Sequence, residues 1–297
     1  MPSFSNSLHL FLDGIMRNAV GLKHTLGAKN RDSSGLGASL PGGQVHLAAA
    51  PITEDDGFTY LRTGNSKHSM WRTVEWQLLL KVVDDLPRPI LDLGCGDGAF
   101  GALFTDRIEY GIDGDADAVG QCNPAVYQES FPGDLRETLA VPDGSLGSAF
   151  SNSTLEHVKP LEPAIASVSR ALRSGGKLII TVPTDGLTDA VTEAYGADLA
   201  ERLNQTLGHH NLWPWARWEE LLRANGFAEV NLRGYLSRPA MQWYASRFLA
   251  PWPQLSRRAP DWLWQHDMPA IKRHVEESLE VLPEKDATCL LIEAIKS

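Results

Sequence analysis

The feature that most constrains this chain is a glycine-rich turn that directly follows a short apolar run. Residues 90–93 (ILDL) have the composition of a buried strand, and residues 94–98 (GCGDG) place glycine at three alternate positions. A helix is predicted to begin near Ala99. Glycines in this context let the backbone turn tightly and approach a ligand without a Cβ in between. The segment therefore predicts a strand, a ligand-binding turn and a helix in succession.

Two acids flank this turn at informative positions. Asp92 precedes the first glycine, and Asp113 closes the next predicted strand, nineteen residues after Gly94. An acid at the end of the second strand is where the two hydroxyls of a ribose are bound in nucleotide-binding folds. Gly94, Gly96 and Ala99 also fit the pattern of nicotinamide-cofactor sites, but the carboxylate of Asp92 would repel a pyrophosphate. A nicotinamide cofactor therefore remains the rival interpretation.

Short apolar runs alternate with helical patterns further along the chain. This alternation predicts an α/β fold with a doubly wound, mostly parallel sheet that is covered by helices on both faces. The predicted strands are residues 89–93, 108–113, 146–151, 178–182, 228–232 and 288–295. The clearest predicted helices are residues 161–173, stopped by the Ser-Gly-Gly at 174–176, and residues 215–225.

Composition excludes several classes of protein. The 297 residues carry a formal net charge of −10, which argues against a nucleic-acid partner bound through phosphate neutralisation. Cys95, Cys122 and Cys289 are widely separated, so they indicate neither a disulfide framework nor a metal-ligand spacing, and we expect a cytoplasmic protein. No apolar run reaches the roughly 18–20 residues of a transmembrane segment.

The two ends of the chain differ from its centre. Residues 1–45 are predicted to form an amphipathic helix near 8–20, followed by a Ser/Gly-rich linker at 31–43, and residues 46–297 the main domain. The helix is expected to pack on the main domain or on a second copy of the chain. One alternative is a lid that covers the acceptor side of the site. The other is a weak peripheral contact with a membrane, for which only Arg17 and Lys23 supply positive charge.

A second unusual segment lies before the last strand. Residues 238–283 separate two strands that would normally form a hairpin, and they contain Trp243, Trp252, Trp262 and Trp264. A segment so rich in aromatic residues is expected to fold against the domain, because it must bury that surface. We predict a helical cap over the acceptor side of the site, with a homodimer interface as the alternative.

Five segments resemble the motifs of class I S-adenosylmethionine-dependent methyltransferases, in particular the small-molecule group with a methyltransferase-11 domain. They are residues 92–98, 111–113, 133–135, 151–158 and 172–178. The resemblance implies a Rossmann-like fold and S-adenosyl-L-methionine as the cofactor. It implies that the glycine turn lies under the methionine part, Asp92 near its amino group and Asp113 on the ribose. It further implies the following cofactor contacts: Arg72 with the carboxylate, Asp134 and the amide of Leu135 with the adenine, and Asn152 with the methionine end.

The residues after Asn152 discriminate among subclasses of methyltransferase. Ser153 and Thr154 follow it. Methyltransferases that act on the amino groups of nucleic acids typically have Pro-Pro-Tyr at this place. Neither Ser151 nor Asn152 is the Asp of the metal-dependent catechol type. A small organic acceptor is therefore expected, and the aromatic segment at residues 238–283 favours a lipophilic one. The methylated atom (oxygen, nitrogen or carbon) stays open.

Catalysis is expected to rest chiefly on proximity and desolvation, with four candidate assisting residues: His210, His209, His157 and Glu156. His157 has a structural role as its alternative, and the His209-His210 pair covers the acceptor or is simply exposed to solvent. Glu156 is an alternative binder of a cationic acceptor. We expect no metal, because adjacent histidines on a loop are not a chelating spacing and no set of Cys, Asp or Glu accompanies them.

The predicted function is thus S-adenosylmethionine-dependent methyl transfer, by an enzyme of small-molecule biosynthesis. The alternatives are an NAD(P)-dependent oxidoreductase that uses the same turn and a non-catalytic protein that only binds the cofactor.

Overall fold

The computed structural model describes residues 66–103, 105–249 and 261–297. In this part of the chain, seven strands form one sheet, and eight α-helices accompany it. The predicted N-terminal helix, the linker and the boundary at residue 45 lie outside the described residues.

The seven strands include one at each of the six predicted positions. They are β1 (Ile90–Leu93), β2 (Ile108–Asp113), β3 (Tyr127–Pro132), β4 (Leu146–Asn152), β5 (Leu172–Pro183), β6 (Phe227–Ser237) and β7 (Ala287–Lys296). The helices are α1 (Ser66–Leu80), α2 (Ala116–Val119), α3 (Glu162–Ala171), α4 (Asp185–Tyr195), α5 (Ala197–Leu207), α6 (Trp215–Ala224), α7 (Arg238–Leu249) and α8 (Asp261–Ser278). Single 3₁₀ turns at Val83–Asp85, Gly101–Leu103, Leu155–His157 and Glu284–Asp286 complete the described elements.

The sheet has the strand order β3-β2-β1-β4-β5-β7-β6. Strands β1 to β5 are parallel, and β7 is antiparallel to both of its neighbours, β5 and β6. The prediction of a doubly wound, mostly parallel sheet is therefore confirmed. Because the strand order reverses between β1 and β4, the crevice at their carboxyl ends is where such a sheet binds ligands.

Helices cover both faces of the sheet, since successive strand residues point to opposite sides. Leu91 of β1 belongs to an apolar cluster that includes the fully buried Trp218 of α6. The adjacent Ile90 belongs to a second cluster with Met241 of α7 and Ile271 of α8. The two clusters are the cores on either side of the sheet.

Two local expectations were not met. Strand β3 was not predicted, because its sequence YQESFP is polar and mostly accessible, as an edge strand can be. The helix predicted to begin at Ala99 is wrong: only the 3₁₀ turn Gly101–Leu103 follows the glycine turn in the residues described there. A Cβ on Gly101 would lie 2.2 Å from the hydroxyl of Tyr127, so the backbone here lies directly against β3. The glycines of this segment are also poor helix formers.

The described residues of the segment before the last strand are mostly helical, as predicted. Strands β6 and β7 pair as an antiparallel hairpin, and α7 and α8 lie between them in sequence. Tyr244 of α7 packs edge-on against Trp71 of α1, with ring centroids 5.4 Å apart. Trp243 packs against the same core, whereas Trp252 and the side chains of Trp262 and Trp264 lie outside the described residues. Among the described helices, none combines the length and the apolar character that crossing a membrane requires.

Candidate active site

The glycine turn is wedged between the end of β2 and the loop after β4. The backbone amides of Gly94 and Cys95 both donate to the carbonyl of Ile112, at 2.8 and 3.1 Å. Gly94 has a φ of +82°, and a Cβ at this position would lie 2.3 Å from the side chain of Thr154. Both the backbone conformation and the close contact therefore require glycine here.

Gly96 and Asp113 border an open space at this end of the sheet. A Cβ on Gly96, which has a φ of +53°, would meet no atom within 4 Å. The amide of Gly96 donates to Asp113 Oδ2 and the amide of Asp115 to Asp113 Oδ1, both at 2.9 Å. The structure thus joins the predicted turn to the predicted acid and fixes the carboxylate by two backbone donors.

Asp92 is buried beside this turn and is held by a tyrosine that the sequence analysis did not identify. The hydroxyl of Tyr127, on β3, donates to Asp92 Oδ2 at 2.6 Å. Burial raises the pKa of Asp92 to about 7, although the Tyr127 hydrogen bond opposes this effect. The carboxyl group therefore titrates near neutral pH.

A second buried carboxylate, Glu75 of α1, organises the carboxyl end of β4. Its Oε1 accepts hydrogen bonds from Trp71 Nε1 (2.9 Å), Ser153 Oγ (2.5 Å) and Tyr235 Oη (2.9 Å), and its Oε2 from Arg72 Nη1 (2.5 Å) and Asn152 Nδ2 (3.1 Å). Five donors from α1, the β4 end and β6 satisfy a carboxylate that is fully buried. The only sequence signal for this role is a Glu inside the aromatic run at residues 70–76.

Comparisons with known proteins agree with this geometry. Residues 91–180 match the family described as "Methyltransferase domain". A 37.1 kDa protein encoded in transposon TN4556 of Streptomyces fradiae is 34% identical over 124 residues, which are 37% of this chain and 35% of that protein. The chain thus matches about a third of the length of this curated relative.

Two solved structures are similar at low identity. One is described as an S-adenosylmethionine-dependent methyltransferase, possible histamine N-methyltransferase, from Thermotoga maritima (18% identity, 78% of this chain, 95% of that chain, TM-score 0.49). The other is phosphoethanolamine N-methyltransferase 2 of Haemonchus contortus in complex with S-adenosyl-L-methionine (16%, 77%, 57%, TM-score 0.49). The family match spans β1 to β5, which carry the glycine turn, Asp113 and Asn152.

Residues 91–180 of the chain form a methyltransferase domain. The residues present fit S-adenosylmethionine, the cofactor that the resemblance implies. The backbone at Gly96 faces open space, and the carboxylate of Asp113, which accepts from the amide of Gly96, borders it, as a ribose requires.

Three other predicted cofactor residues of the methyltransferase domain lie near this edge of the sheet. Asp134, just after β3, is clamped by the guanidinium of Arg136, which lowers the pKa of Asp134. Leu135 is buried next to it. The amide of Asn152 is oriented from both ends, since its Oδ1 accepts from Thr181 Oγ1 at 2.7 Å while its Nδ2 donates to Glu75.

Arg72 lies in the same part of the domain but is engaged differently from the expectation. Its guanidinium pairs with Glu75 of its own helix. A contact with the cofactor's carboxylate, as the sequence analysis predicted, stays a prediction.

The structure brings together three of the four predicted catalytic residues. Glu156 and His157 follow β4 on the turn Leu155–His157, and His209 follows α5. Ligand atoms of these three side chains all lie within 4.8 Å of one another. Burial raises the pKa of Glu156 to about 8 and lowers the pKa of His209 to about 3, so each group favours its neutral form at neutral pH.

His210 is not part of this cluster in the structure. Its side chain is exposed, and its backbone amide donates to the carbonyl of Glu156 at 2.8 Å. The amide of Asn211 donates to the same carbonyl at 3.1 Å, and the Asn211 side chain donates to the carbonyls of Leu155 and Val158. These bonds hold the loop after α5 against the turn after β4.

Proposed function

We propose that this chain transfers the methyl group of S-adenosylmethionine to a small, lipophilic organic acceptor in the cytoplasm. The observation that carries the proposal is the open space at Gly96 bordered by the oriented carboxylate of Asp113. The bound cofactor supplies a methyl group on a sulfonium, which is ready for in-line displacement. The chain's own residues have to align the acceptor and exclude water.

Each predicted cofactor residue has a proposed contact. The turn containing Gly94, Gly96 and Gly98 would lie under the methionine part, whose amino group is near Asp92. Asp113 would accept hydrogen bonds from the ribose, and Asp134 and the amide of Leu135 would bind the adenine. Arg72 and Asn152 complete the proposed set at the methionine end.

The acceptor is proposed to bind at the carboxyl end of β4. Glu156, His157 and His209 supply polar atoms there, and His210 lies beside them on the same loop. The aromatic contacts between α7 and α1, whose Glu75 bonds to the β4 end, support the proposal that residues 238–283 are a cap over this region. A cap of this kind would enclose an uncharged or amphiphilic substrate.

The test is transfer of a labelled methyl group to a panel of uncharged and amphiphilic metabolites. Label in an organic product is the expected result. Calorimetry with adenosylhomocysteine should show that Asp113→Ala lowers affinity by about tenfold or more, because hydrogen bonds to a charged group are worth about 1.5–3 kcal/mol each. Asp117→Ala, an acidic position of α2 exposed to solvent, is the matched control and should bind normally.

Other outcomes would identify the rival functions. Nicotinamide that co-purifies with the protein would indicate an oxidoreductase. Tight binding of adenosylhomocysteine with no transfer to any acceptor in the panel would indicate a non-catalytic cofactor-binding protein.

A further inference from the structure

The cluster of Glu156, His157 and His209 has the composition of a metal site. One carboxylate and two imidazoles converge from two segments that are far apart in sequence. His157 Nε2 lies 3.7 Å from Glu156 Oε1, which is too long for a hydrogen bond. Two ligands of a tetrahedral ion, each about 2.1 Å from the metal, are separated by about 3.4 Å. The spacing therefore leaves room for an ion between the two side chains.

Both histidines have the orientation of metal ligands. His157 Nδ1 lies 3.0 Å from the carbonyl oxygen of Gly208, and His209 Nδ1 lies 3.3 Å from Asn204 Oδ1. Asn204 Nδ2 donates to Thr188 Oγ1 at 2.9 Å, an arrangement in which the amide oxygen faces His209. With an acceptor facing each Nδ1, the proton resides there and the lone pair on Nε2 is directed elsewhere. Ligating histidines are usually held in this way by their surroundings.

Glu156 provides an independent observation. Its side chain is 2% exposed, and Oε2 has no hydrogen-bond partner among the described residues. A buried carboxylate oxygen without a partner is costly, and a bound cation removes that cost. Arg72 and Glu75 act on its charge with opposite effects, and they are paired with each other.

We propose that Glu156, His157 and His209 bind one divalent transition-metal ion of the zinc type. One carboxylate oxygen and two Nε2 atoms are the ligand set of open zinc sites, in which a remaining position takes water or a substrate atom. The site lies at the carboxyl end of β4, next to Asn152, where the acceptor is proposed to bind. This inference goes beyond methyl transfer, and it replaces the expectation of no metal. That expectation rested on the adjacent pair His209-His210, whereas the structure brings Glu156 and His157 to His209 from the turn after β4.

The test is metal binding by the full-length chain after treatment with a chelator. Calorimetry with Zn²⁺ should show one ion per chain. Removing an outer partner of a metal ligand typically costs 10–100-fold in affinity, so losing a direct ligand in His209→Asn or Glu156→Gln should cost about 100-fold or more. His157→Gln tests the same site at a partly exposed side chain, without altering the buried Glu156. The matched control is His210→Ala, which removes the adjacent exposed histidine and should bind Zn²⁺ as the unmodified chain does.

Co²⁺ provides a second readout. The Co²⁺-loaded chain should show visible absorption bands of a four- or five-coordinate site, and His209→Asn should lose them. Adenosylhomocysteine binding by each variant shows that it is folded, and no measurement needs a methyl acceptor, so the metal site and methyl transfer are tested separately. Absence of Zn²⁺ binding by the unmodified chain, or equal affinity in the ligand variants, would overturn the proposal.

Discussion

Glu75 is a fully buried carboxylate whose oxygens accept hydrogen bonds from five side chains of three segments. It joins α1 to the end of β4 and to Tyr235 of β6. A buried charge is tolerated only when it is paired and hydrogen-bonded, and here both conditions are met.

We predict that Glu75→Ala destabilises the protein by about 3–5 kcal/mol, because it leaves Arg72 without its ion-pair partner and three buried donors without an acceptor. Glu75→Gln should cost less, since it keeps one acceptor oxygen. Urea unfolding followed by circular dichroism measures both. Glu219→Ala removes an exposed pair with Arg223 and should change stability little. An equal effect of the Glu75 and Glu219 variants would contradict this role.

Asp92 makes a pH-dependent contribution to stability. Its pKa is about 7 in the folded protein and near 3.8 when exposed, so the unfolded chain releases this proton at a lower pH. The unfolded state then binds fewer protons than the native state between about pH 4 and 7, and Asp92 lowers stability as the pH rises through that window.

We therefore expect the stability difference between Asp92→Asn and the unmodified chain to increase in favour of the variant from pH 4 to pH 7. Above pH 7 the difference should be constant. Urea unfolding at a series of pH values measures it. A difference that does not vary with pH would show that Asp92 is ionised throughout the range.

The glycine turn is the element that the sequence analysis described best. Its position directly after β1 was expected, and so was the acid Asp113 at the end of β2. No α-helix follows it in the residues described there, and Gly101 approaches the hydroxyl of Tyr127 from β3 too closely for a side chain.

Two substitutions in this turn should separate folding from cofactor binding. Gly94→Ala would place a Cβ 2.3 Å from Thr154 and should destabilise the fold, whereas Gly96→Ala faces open space and should chiefly weaken adenosylhomocysteine binding. The backbone strain of an alanine at positive φ costs about 1–2 kcal/mol in each. Thermal unfolding and calorimetry measure the two effects.

Gly144→Ala is the matched control for strain alone. Gly144 has a φ of +62°, meets nothing within 4 Å of its Cβ position, and precedes the amino end of β4, away from the crevice. It should lower stability as Gly96→Ala does and leave cofactor affinity unchanged. If Gly96→Ala also bound the cofactor normally, the open space at Gly96 would be assigned wrongly.

At the scale of the whole molecule, helices α7 and α8 are linked to the carboxyl end of β4 through α1. Asp267 of α8 is buried and pairs with Arg247 of α7 at 2.7 Å, which ties the two helices together. Tyr244 of α7 packs on Trp71, whose indole donates to Glu75. Changes in α7 can therefore reach the β4 end through α1.

Trp243→Ala should raise the acceptor KM and leave cofactor affinity and oligomer mass unchanged, if residues 238–283 act as a cap. Trp243 packs against the core that α1 shares, so its loss loosens the cap rather than the cofactor crevice. Steady-state kinetics and light scattering measure the two properties. A variant that dissociates from dimer to monomer with normal acceptor kinetics would instead identify a homodimer interface.

The sequence by itself determined the doubly wound sheet, the glycine turn and its acid. Each of these is encoded in a short window, by apolar runs, by glycines where the backbone needs them and by an acid at a strand end. The hairpin of the last two strands was also expected, and so was a folded segment between them, because its tryptophans have to be buried. Tertiary structure alone decided which distant side chains meet: Tyr127 with Asp92, Tyr235 with Glu75, and His209 with Glu156 and His157. These contacts depend on how separate helices and strands are placed relative to one another. That placement cannot be read from the residue pattern of any single segment.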